Sequence, residues 1–570
     1  MSESWRKSDM VTVTIDGKQF EAESNRTIIE VARANGIEIP HFCWHPKLSV
    51  SGNCRMCLVE VEKMPKLVIA CSTQVADGMV IHTDNPKVIN AREAVMEFLL
   101  INHPLDCPIC DEAGECKLQD YAYKYSAGYS RFDEDKGHKP KRVELGPNVM
   151  LDTERCIMCS RCIRFCDEIA RKPQLTFTQR GTHVELTTFP GEKLDNPYSM
   201  NTIDICPVGA LTSRDFRFQA RVWEMSATET ICPGCARGCN MYSWVRNNEV
   251  LRQTPRFNPD VNDYWMCDAG RLNTFRHVNA DTRVKSPLTR RETGIVEVGW
   301  DEAIARVASE LRSFRKNEIA VIGSAHATNE DSYVLQKFAR DVLGTKNIDC
   351  VRHSVDGDED ALLIRADKTP NSRGAAEVGL RPAEGGYGID GILKAIREGQ
   401  IKALYVVDEN IALDRAAAQM LGKLEMLIVQ SSQENETTRL ADIVLPSSTF
   451  AEKNGTFVNF RGRVQRIRPS VATLEQDRSL DGFAMSRLDK FGSPYDRWAK
   501  GPKRDARPTW RIVAAIASAM GVKYRYQTAE EVFNEIASAI PVFAGMSYRR
   551  IGSRGLPLKE KKEAFVPKTA

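Results

Sequence analysis

His103, Cys107, Cys110 and Cys116 stand at H-x3-C-x2-C-x5-C spacing in the stretch INHPLDCPICDEAGEC. Three thiols and one imidazole converge there. Zinc takes three cysteines and a histidine, and an iron–sulfur cluster accepts histidine in place of cysteine. A lone histidine at a helix end, here followed by Pro104, is ordinarily a terminator or a surface residue. Beside three cysteines it becomes a ligand candidate. The segment by itself leaves both metals open, and the cysteines around it decide between them.

Sixteen of the 17 cysteines precede residue 270 and only Cys350 follows it, which divides the chain into a cysteine-rich first part and an ordinary second part. The opening MSESWRKSDMVTVTIDG lacks the apolar core of a secretory signal, and no run approaches the roughly 18 apolar residues of a spanning helix. The expectation is a soluble, intracellular protein. In a reducing compartment, grouped cysteines are more often metal ligands or redox groups than a disulfide framework. With 79 basic and 76 acidic residues, the formal charge of +3 gives no reason to propose nucleic acid. At 570 residues the chain exceeds one core, and about three to five domains are expected.

Cys43, Cys54, Cys57 and Cys71 read C-x10-C-x2-C-x13-C, with Gly52 allowing close backbone approach. They follow an alternating strand pair, VTVTIDGKQFEAE, with an Asp-Gly turn, and a helical stretch, TIIEVARANG, that stops at Gly36. That order resembles a [2Fe–2S] ferredoxin of the β-grasp type, although the spacing departs from the plant type. Buried structural cysteines are the competing reading.

Cys156, Cys159, Cys162 and Cys166 lie in CIMCSRCIRFC. In the bacterial ferredoxin run C-x2-C-x2-C-x3-C-P the fourth cysteine serves the other cluster of a pair. Here Asp167 replaces the proline, and the offsets before Cys206 that a second cluster would need hold Asn196, Ser199 and Thr202. The second cluster has been lost, Cys206 completes the first, and Cys166 is left over. Cys232, Cys235, Cys239 and Cys267 read C-x2-C-x3-C-x27-C and resemble the [4Fe–4S] motif at the head of molybdopterin oxidoreductases. Structural zinc is the rival for any one such set. Four sets in succession, the first with ferredoxin order, are better explained as an electron wire.

The elements change character after residue 300. WDEAIARVASELRSF is an amphipathic helix, EIAVIGS a buried-type strand, and TNEDSYVLQKFARDVLG a helix opened by Thr328 and Asp331 and closed by Gly344. IKALYVVDEN, EMLIVQSS and ADIVLP supply further strands between helices, so a mainly parallel sheet is expected. Gly386 to Gly391, GYGIDG, matches the dinucleotide fingerprint, but GLRPAEG before it is no strand. A loop before a helix is the expectation there.

Taken in order, the motifs resemble the large iron–sulfur subunits of respiratory complex I, the G-subunit family of bacterial NADH-quinone oxidoreductase. The resemblance covers nearly the whole chain and is most specific in residues 11–280. It implies a multidomain α/β and α+β fold: a β-grasp [2Fe–2S] ferredoxin domain over 10–92, a histidine-plus-three-cysteine [4Fe–4S] segment over 93–135, a ferredoxin-like [4Fe–4S] domain over 146–225, a [4Fe–4S] head domain over 226–282, a shortened molybdopterin-oxidoreductase-like α/β domain over 283–550, and a polar tail over 551–570. It makes His103 an iron ligand with Cys107, Cys110 and Cys116. The cofactors implied are one [2Fe–2S] cluster and three [4Fe–4S] clusters, with no molybdopterin and no flavin in this chain, and with the Cys232-set cluster off the main path. A neutral imidazole for one thiolate makes a ligand set less negative and favours the reduced state. The role implied is relay of electrons from a flavin-bearing NADH-oxidising subunit towards quinone, coupled in the complex to proton translocation. No substrate site is expected in the chain itself. Implied partners are the flavin subunit, a small [2Fe–2S] subunit and quinone-side iron–sulfur subunits, on the cytoplasmic side of the bacterial inner membrane, peripherally associated.

Two alternatives use the same clusters: the iron–sulfur chain of an NAD-linked formate dehydrogenase, or of a hydrogenase. The single cysteine after residue 280 is too few for a hydrogen-activating iron centre. For a molybdenum enzyme, Cys350 in NIDCVRHS is the one available thiol, and it reads more readily as a small apolar residue at a strand end. Between EIAVIGS and NSRGAAEVGL there is one helix, KNIDC and a short connection, so half of a cofactor cradle is missing. The domain is expected to be a relic scaffold that docks neighbouring subunits.

Overall fold

The structure, a computed structural model, describes residues 10–126, 128–475 and 501–559. The chain divides into two compact units, Met1–Trp223 and Glu224–Ala570.

In the first unit, β1 (Met10–Ile15) and β2 (Lys18–Glu23) form the expected hairpin. Asp16 and Gly17 both take positive φ, 48° and 78°, as a two-residue hairpin turn requires. Val11, Val13 and Ile15 alternate into the core. α1 (Ile28–Ala34) opens on a Thr27–Glu30 capping box, and Gly36 at φ 74° follows its end. With β3 (Leu58–Val61), β4 (Val68–Ile69) and β5 (Val80–His82) the strands form one sheet in the order β2-β1-β5-β3-β4, β1 and β5 parallel. α2 (Pro86–Leu100) is capped by Asn85, whose side chain accepts from Val88 N at 3.0 Å. It ends before His103, so that residue lies in the following loop rather than at the helix end. The reason is local: Pro104 disfavours helical geometry at the residue before it, and Lys136 Nζ satisfies the carbonyls of Leu100 and Ile101 at 2.9 and 2.7 Å.

Further along this unit, α3 (Lys117–Tyr125) precedes a three-stranded sheet of β6 (Val143–Glu144), β7 (Val149–Leu151) and the strand Leu211–Ser213. Leu151 pairs with Leu211. One strand runs into Cys156 and the other leaves from Cys206, so the pairing brings residues some 50 positions apart to one place.

In the second unit, Ser226–Ile231, Asn240–Arg246 and Glu249–Pro255 form an antiparallel sheet that the sequence pattern did not announce. Beyond it lies a seven-stranded sheet. Strands Ile348–Val351, Ile319–Ser324, Ala403–Val407, Met426–Ser431 and Ile443–Pro446 are parallel neighbours in that order, and Leu288–Arg291 with Gly294–Glu297 add an antiparallel hairpin at one edge. All six residues of Ile319–Ser324 are buried, as a strand covered on both faces requires. Helices Trp300–Ser313, Asn329–Lys337, Thr509–Ala519 and Ala529–Ala539 pack their apolar faces into one core.

The tail expectation needs correcting. Leu556–Pro557 pairs with the strand Arg463–Ile467, and Ile551 is buried in the main core, so 551–559 belong to the fold. Residues 560–570 lie outside the described residues. The glycine fingerprint is a packing feature. Helix Ile389–Arg397 does follow a loop, the amide of Ile389 is taken by Asp349 Oδ2 at 2.9 Å, and a Cβ on Gly386 would stand 2.1 Å from Lys346 O. A carboxylate already holds the helix N-terminus where a phosphate would sit.

Candidate metal centres

Cys43, Cys54 and Cys57 lie on the loop between α1 and β3, and Cys71 follows β4. Gly52 and Arg55, at φ 63° and 59°, turn this loop back on itself. Cys43 N donates to Cys54 Sγ at 3.4 Å. The thiols are paired: hydrogen bonding from Cys54 pulls Cys43 down to about 5, and hydrogen bonding from Cys57 lowers Cys71, while Cys54 and Cys57 are pushed up. Within each pair one thiol is eased towards the thiolate and its partner away from it, and the thiolate is the form a metal takes.

Cys156, Cys159, Cys162 and Cys206 come together. They line one pocket whose other walls include Phe177, Leu186, Val208 and Leu211. Met158 and Ser160, both left-handed at φ 54° and 59°, wrap the C-x2-C-x2-C turn. Burial pushes Cys162 and Cys206 well above the ordinary thiol range and Cys156 to about 12, against backbone N–H groups of Met158 on Cys156 and of Val208 and Leu211 on Cys206. Thiols in an apolar pocket that resist ionisation alone, yet already face N–H donors, suit a cation that would deprotonate them. Cys166 sits in the π-helical turn Phe165–Ile169, is pushed up to about 12 by burial, and does not line this pocket.

In the histidine-headed set Cys107 is exposed while Cys110 and Cys116 are buried. Cys110 and Cys116 are buried and pushed upward by burial, Cys116 to about 12, with Cys107 and Cys110 respectively adding to the effect. Cys116 precedes α3, whose Leu118 and Gln119 amides face its sulfur. A Cβ on Gly209 would stand 2.2 Å from Cys110 Sγ, so a side chain there would force that thiol or the turn to shift. His103 is held near 4 by burial and then by the cations Arg155 and Lys136, which keeps its imidazole neutral and fit to ligate.

In the second unit, Cys232 and Cys239 end the paired strands Ser226–Ile231 and Asn240–Arg246, Cys232 N donating to Cys239 O at 2.8 Å. Cys267 caps helix Asp268–Leu272, its sulfur accepting from Gly270 N at 3.3 Å, and Gly234 N donates to Cys232 Sγ at 3.4 Å. A Cβ on Gly270 would crowd both Cys232 and Cys267 sulfurs, at 3.1 and 3.2 Å. Burial pushes Cys232 and Cys239 well up, with Cys235 and Cys267 adding to both. Among the described residues, no three His, Cys, Asp or Glu side chains are already drawn to the spacing of a single bound ion.

Within the first unit the Cys156 set touches both of the others. Arg164 donates to Cys43 O at 2.5 Å and Cys159 O at 3.3 Å, and Asn53 Nδ2 donates to Met158 O at 2.9 Å. On the other side, Pro207 beside Cys206 accepts from Lys117 N at 3.1 Å, and Gly209 abuts Cys110. None of these contacts was legible in the sequence.

A polar cavity that the sequence reading also missed opens near the carboxyl ends of the parallel strands, with His326, His353, Asp408, Glu409, Ser448 and Lys453 in its wall. It fits a phosphate-bearing pterin poorly: Lys453 is already paired with Asp331 at 2.7 Å and His353 with Glu409 at 2.9 Å, and two carboxylates face the space. Cys350 lies on the strand Ile348–Val351, pushed up to about 12 by burial, and is not part of the wall. No helix among the described residues is long and apolar enough to cross a membrane.

The sequence matches five family models: the 2Fe-2S iron-sulfur cluster binding domain at 8–86, the NADH-ubiquinone oxidoreductase-G iron-sulfur binding region at 92–131, the ferredoxin-like domain of NADH-quinone oxidoreductase subunit 3 at 146–212, the molybdopterin oxidoreductase Fe4S4 domain at 225–279, and molybdopterin oxidoreductase at 283–373 and 371–480. The G subunit of NADH-quinone oxidoreductase from Rickettsia bellii is 42% identical over 333 residues, 58% of this chain and 48% of that protein. The mitochondrial NADH-ubiquinone oxidoreductase 78 kDa subunit of Neurospora crassa is 42% identical over 342 residues, 59% of this chain and 45% of that protein. A chain of a solved NAD+-reducing [NiFe]-hydrogenase in the H2-reduced state is 28% identical with a TM-score of 0.34, over 37% of this chain and 91% of that one. The chain spans about half the length of the curated relatives it matches.

Proposed function

We propose, for a chain that belongs to the G-subunit family of NADH-quinone oxidoreductase, an electron-relay role between a flavin-bearing NADH-oxidising subunit and the quinone side of complex I. The observation that carries this reading is the central place of the Cys156 set, in contact with the Cys43 loop on one side and with the Cys110 segment on the other. A relay needs its carriers in series, and a zinc scaffold does not. Bound iron–sulfur clusters supply reversible one-electron exchange.

The residues would divide as follows. Cys43, Cys54, Cys57 and Cys71 hold a [2Fe–2S] cluster in a β-grasp domain, a reading supported by the five-stranded order with α1. Three [4Fe–4S] clusters fall to His103 with Cys107, Cys110 and Cys116, to Cys156, Cys159, Cys162 and Cys206, and to Cys232, Cys235, Cys239 and Cys267. The buried walls exclude water, and the amides facing sulfur stabilise added negative charge. Residues 283–550 would be a shortened molybdopterin-oxidoreductase-like domain without cofactor, serving to dock neighbouring subunits of a complex peripheral to the membrane. Those neighbours would include the small [2Fe–2S] subunit and the quinone-side iron–sulfur subunits, and the site would be the cytoplasmic face.

The full chain, purified anaerobically, should show broad visible iron–sulfur absorption bleached by dithionite. His103→Ala should lose or convert one four-iron signal in electron paramagnetic resonance while the other clusters persist. A colourless wild-type chain containing zinc would sink the relay, and an unchanged His103→Ala spectrum would sink that ligand.

A further inference from the structure

Arg161 lies between two of the cysteine sets. It follows Ser160, whose φ of 59° starts the short helix Arg161–Arg164, and this places its side chain across the gap towards the Cys43 loop. Its guanidinium donates to Ile205 O at 3.1 Å, the residue before Cys206, and to Trp44 O at 2.5 Å, the residue after Cys43. Its hydrogen bonds among the described residues end on carbonyls, and its Nε–H is buried without an acceptor. The two carbonyls it holds adjoin Cys206 of one set and Cys43 of the other, and Cys159 and Cys162 flank it along the chain. A guanidinium stays protonated in such surroundings.

Arg155 makes the comparison. It is a buried arginine that reaches the neighbouring His103 segment, and its charge is answered by Asp106 at 2.8 Å and Asp152 at 3.2 Å. Arg161 gives its bonds to neutral carbonyls instead, so its charge remains available to whatever negative charge the two thiol sets carry. In a medium of low dielectric that charge acts over several ångströms.

We propose that Arg161 is a shared electrostatic and positioning residue for the two neighbouring clusters: its one charge favours the reduced state of both, and its bonds to Ile205 O and Trp44 O fix their loops side by side. The inference rests on the iron–sulfur reading of both sets. Its sign follows from charge. Each cluster gains one negative charge on reduction, a fixed cation stabilises that state, and both midpoint potentials stand higher with Arg161 than without it.

The test is a redox titration of the purified full chain followed by electron paramagnetic resonance, first in the wild type, where absence of clusters would refute the relay itself rather than this inference. Arg161→Gln should disfavour reduction of the [2Fe–2S] cluster and of the Cys156-set cluster by about tenfold each, equivalent to about 59 mV for one electron. The signals of the His103 and Cys232 sets should stay in place. Arg161→Lys keeps the charge and loses the two-armed clamp, so it should restore both potentials. Unshifted potentials in Arg161→Gln with both clusters present, or a shift of one cluster alone, would overturn the proposal. Should Arg161→Gln fail to hold its clusters, Arg161→Lys decides: retention with wild-type potentials supports the shared charge, and the same loss shows a purely structural residue and overturns it.

Discussion

Gly209 fixes where Cys110 can stand. Its Cα lies close against that sulfur, and a methyl group there would have to displace either the thiol or the turn after Cys206. Gly209→Ala should therefore cost the His103-set cluster, seen as loss of one four-iron signal, with iron falling by about four atoms per chain. Cys166→Ser is the matched control and should leave iron content unchanged; a lost cluster there would mean that Cys206 is not the fourth ligand of its set. The cysteines themselves were legible, because spacing is a property of the chain. Gly209 was not, since its partner lies about a hundred residues away. Arg161 was hidden for the same reason: in CIMCSRCIRFC it reads as one more basic residue, and only the folded loops give its guanidinium two carbonyls to hold.

Elements with strong local patterns were legible: the Asp16–Gly17 hairpin, helix Trp300–Ser313, and strands Ile319–Ser324, Ala403–Val407 and Met426–Ser431 stand where their periodicity puts them. The antiparallel sheet around Cys232 was not, because its strands carry buried polar residues such as Thr228, Asn240 and Ser243 that blur the alternation. Helix Asn329–Lys337 shows both cases. Its Thr328–Asp331 capping box could be read from sequence, but the burial of Glu330 beside it could not, since its partners are Thr456 N at 2.8 Å, Thr456 Oγ1 at 2.9 Å and Tyr548 OH at 2.9 Å. Burial raises Glu330 from 4.5 to about 7. The folded state then binds more protons than the unfolded chain between those values, so this group's contribution to stability is full below about 4.5 and is lost as pH rises towards 7. Thermal unfolding of the full chain should show that decline, on the order of 3 kcal/mol, and Glu330→Gln should flatten it. A pH dependence identical in both proteins would refute the assignment.

At the scale of the whole molecule, the change from cysteine-rich to cysteine-poor sequence near residue 270 falls inside the second compact unit, which begins at Glu224 and carries the Cys232 set, and the prediction that belongs here is elemental. The four proposed sets would account for sixteen ligands, leaving Cys166 and Cys350 outside them. Cys166 lies off the pocket of its neighbours, and Cys350 is a strand residue pushed up to about 12 by burial. Neither is placed to bind metal alone. The second unit matches molybdopterin oxidoreductase, yet the cavity at its strand ends has its cations committed. Lys453 serves Asp331, and His353 serves Glu409. Asp408 is itself pushed up to about 6 by burial, so the cavity resists further negative charge rather than attracting phosphate. Arg283 and Glu452, fully buried and paired at 2.8 Å, tie the segment after helix Arg276–Asn279 to the turn after Ile443–Pro446, which suits a fixed scaffold. Elemental analysis of the anaerobically purified full chain should therefore find about 14 iron atoms and no stoichiometric molybdenum or tungsten. Iron near 10 with zinc present would show one four-iron set, the Cys232 set foremost, given over to zinc. Stoichiometric molybdenum or tungsten, or formate-dependent dye reduction lost on Cys350→Ser, would overturn the relay scaffold in favour of a catalytic second unit.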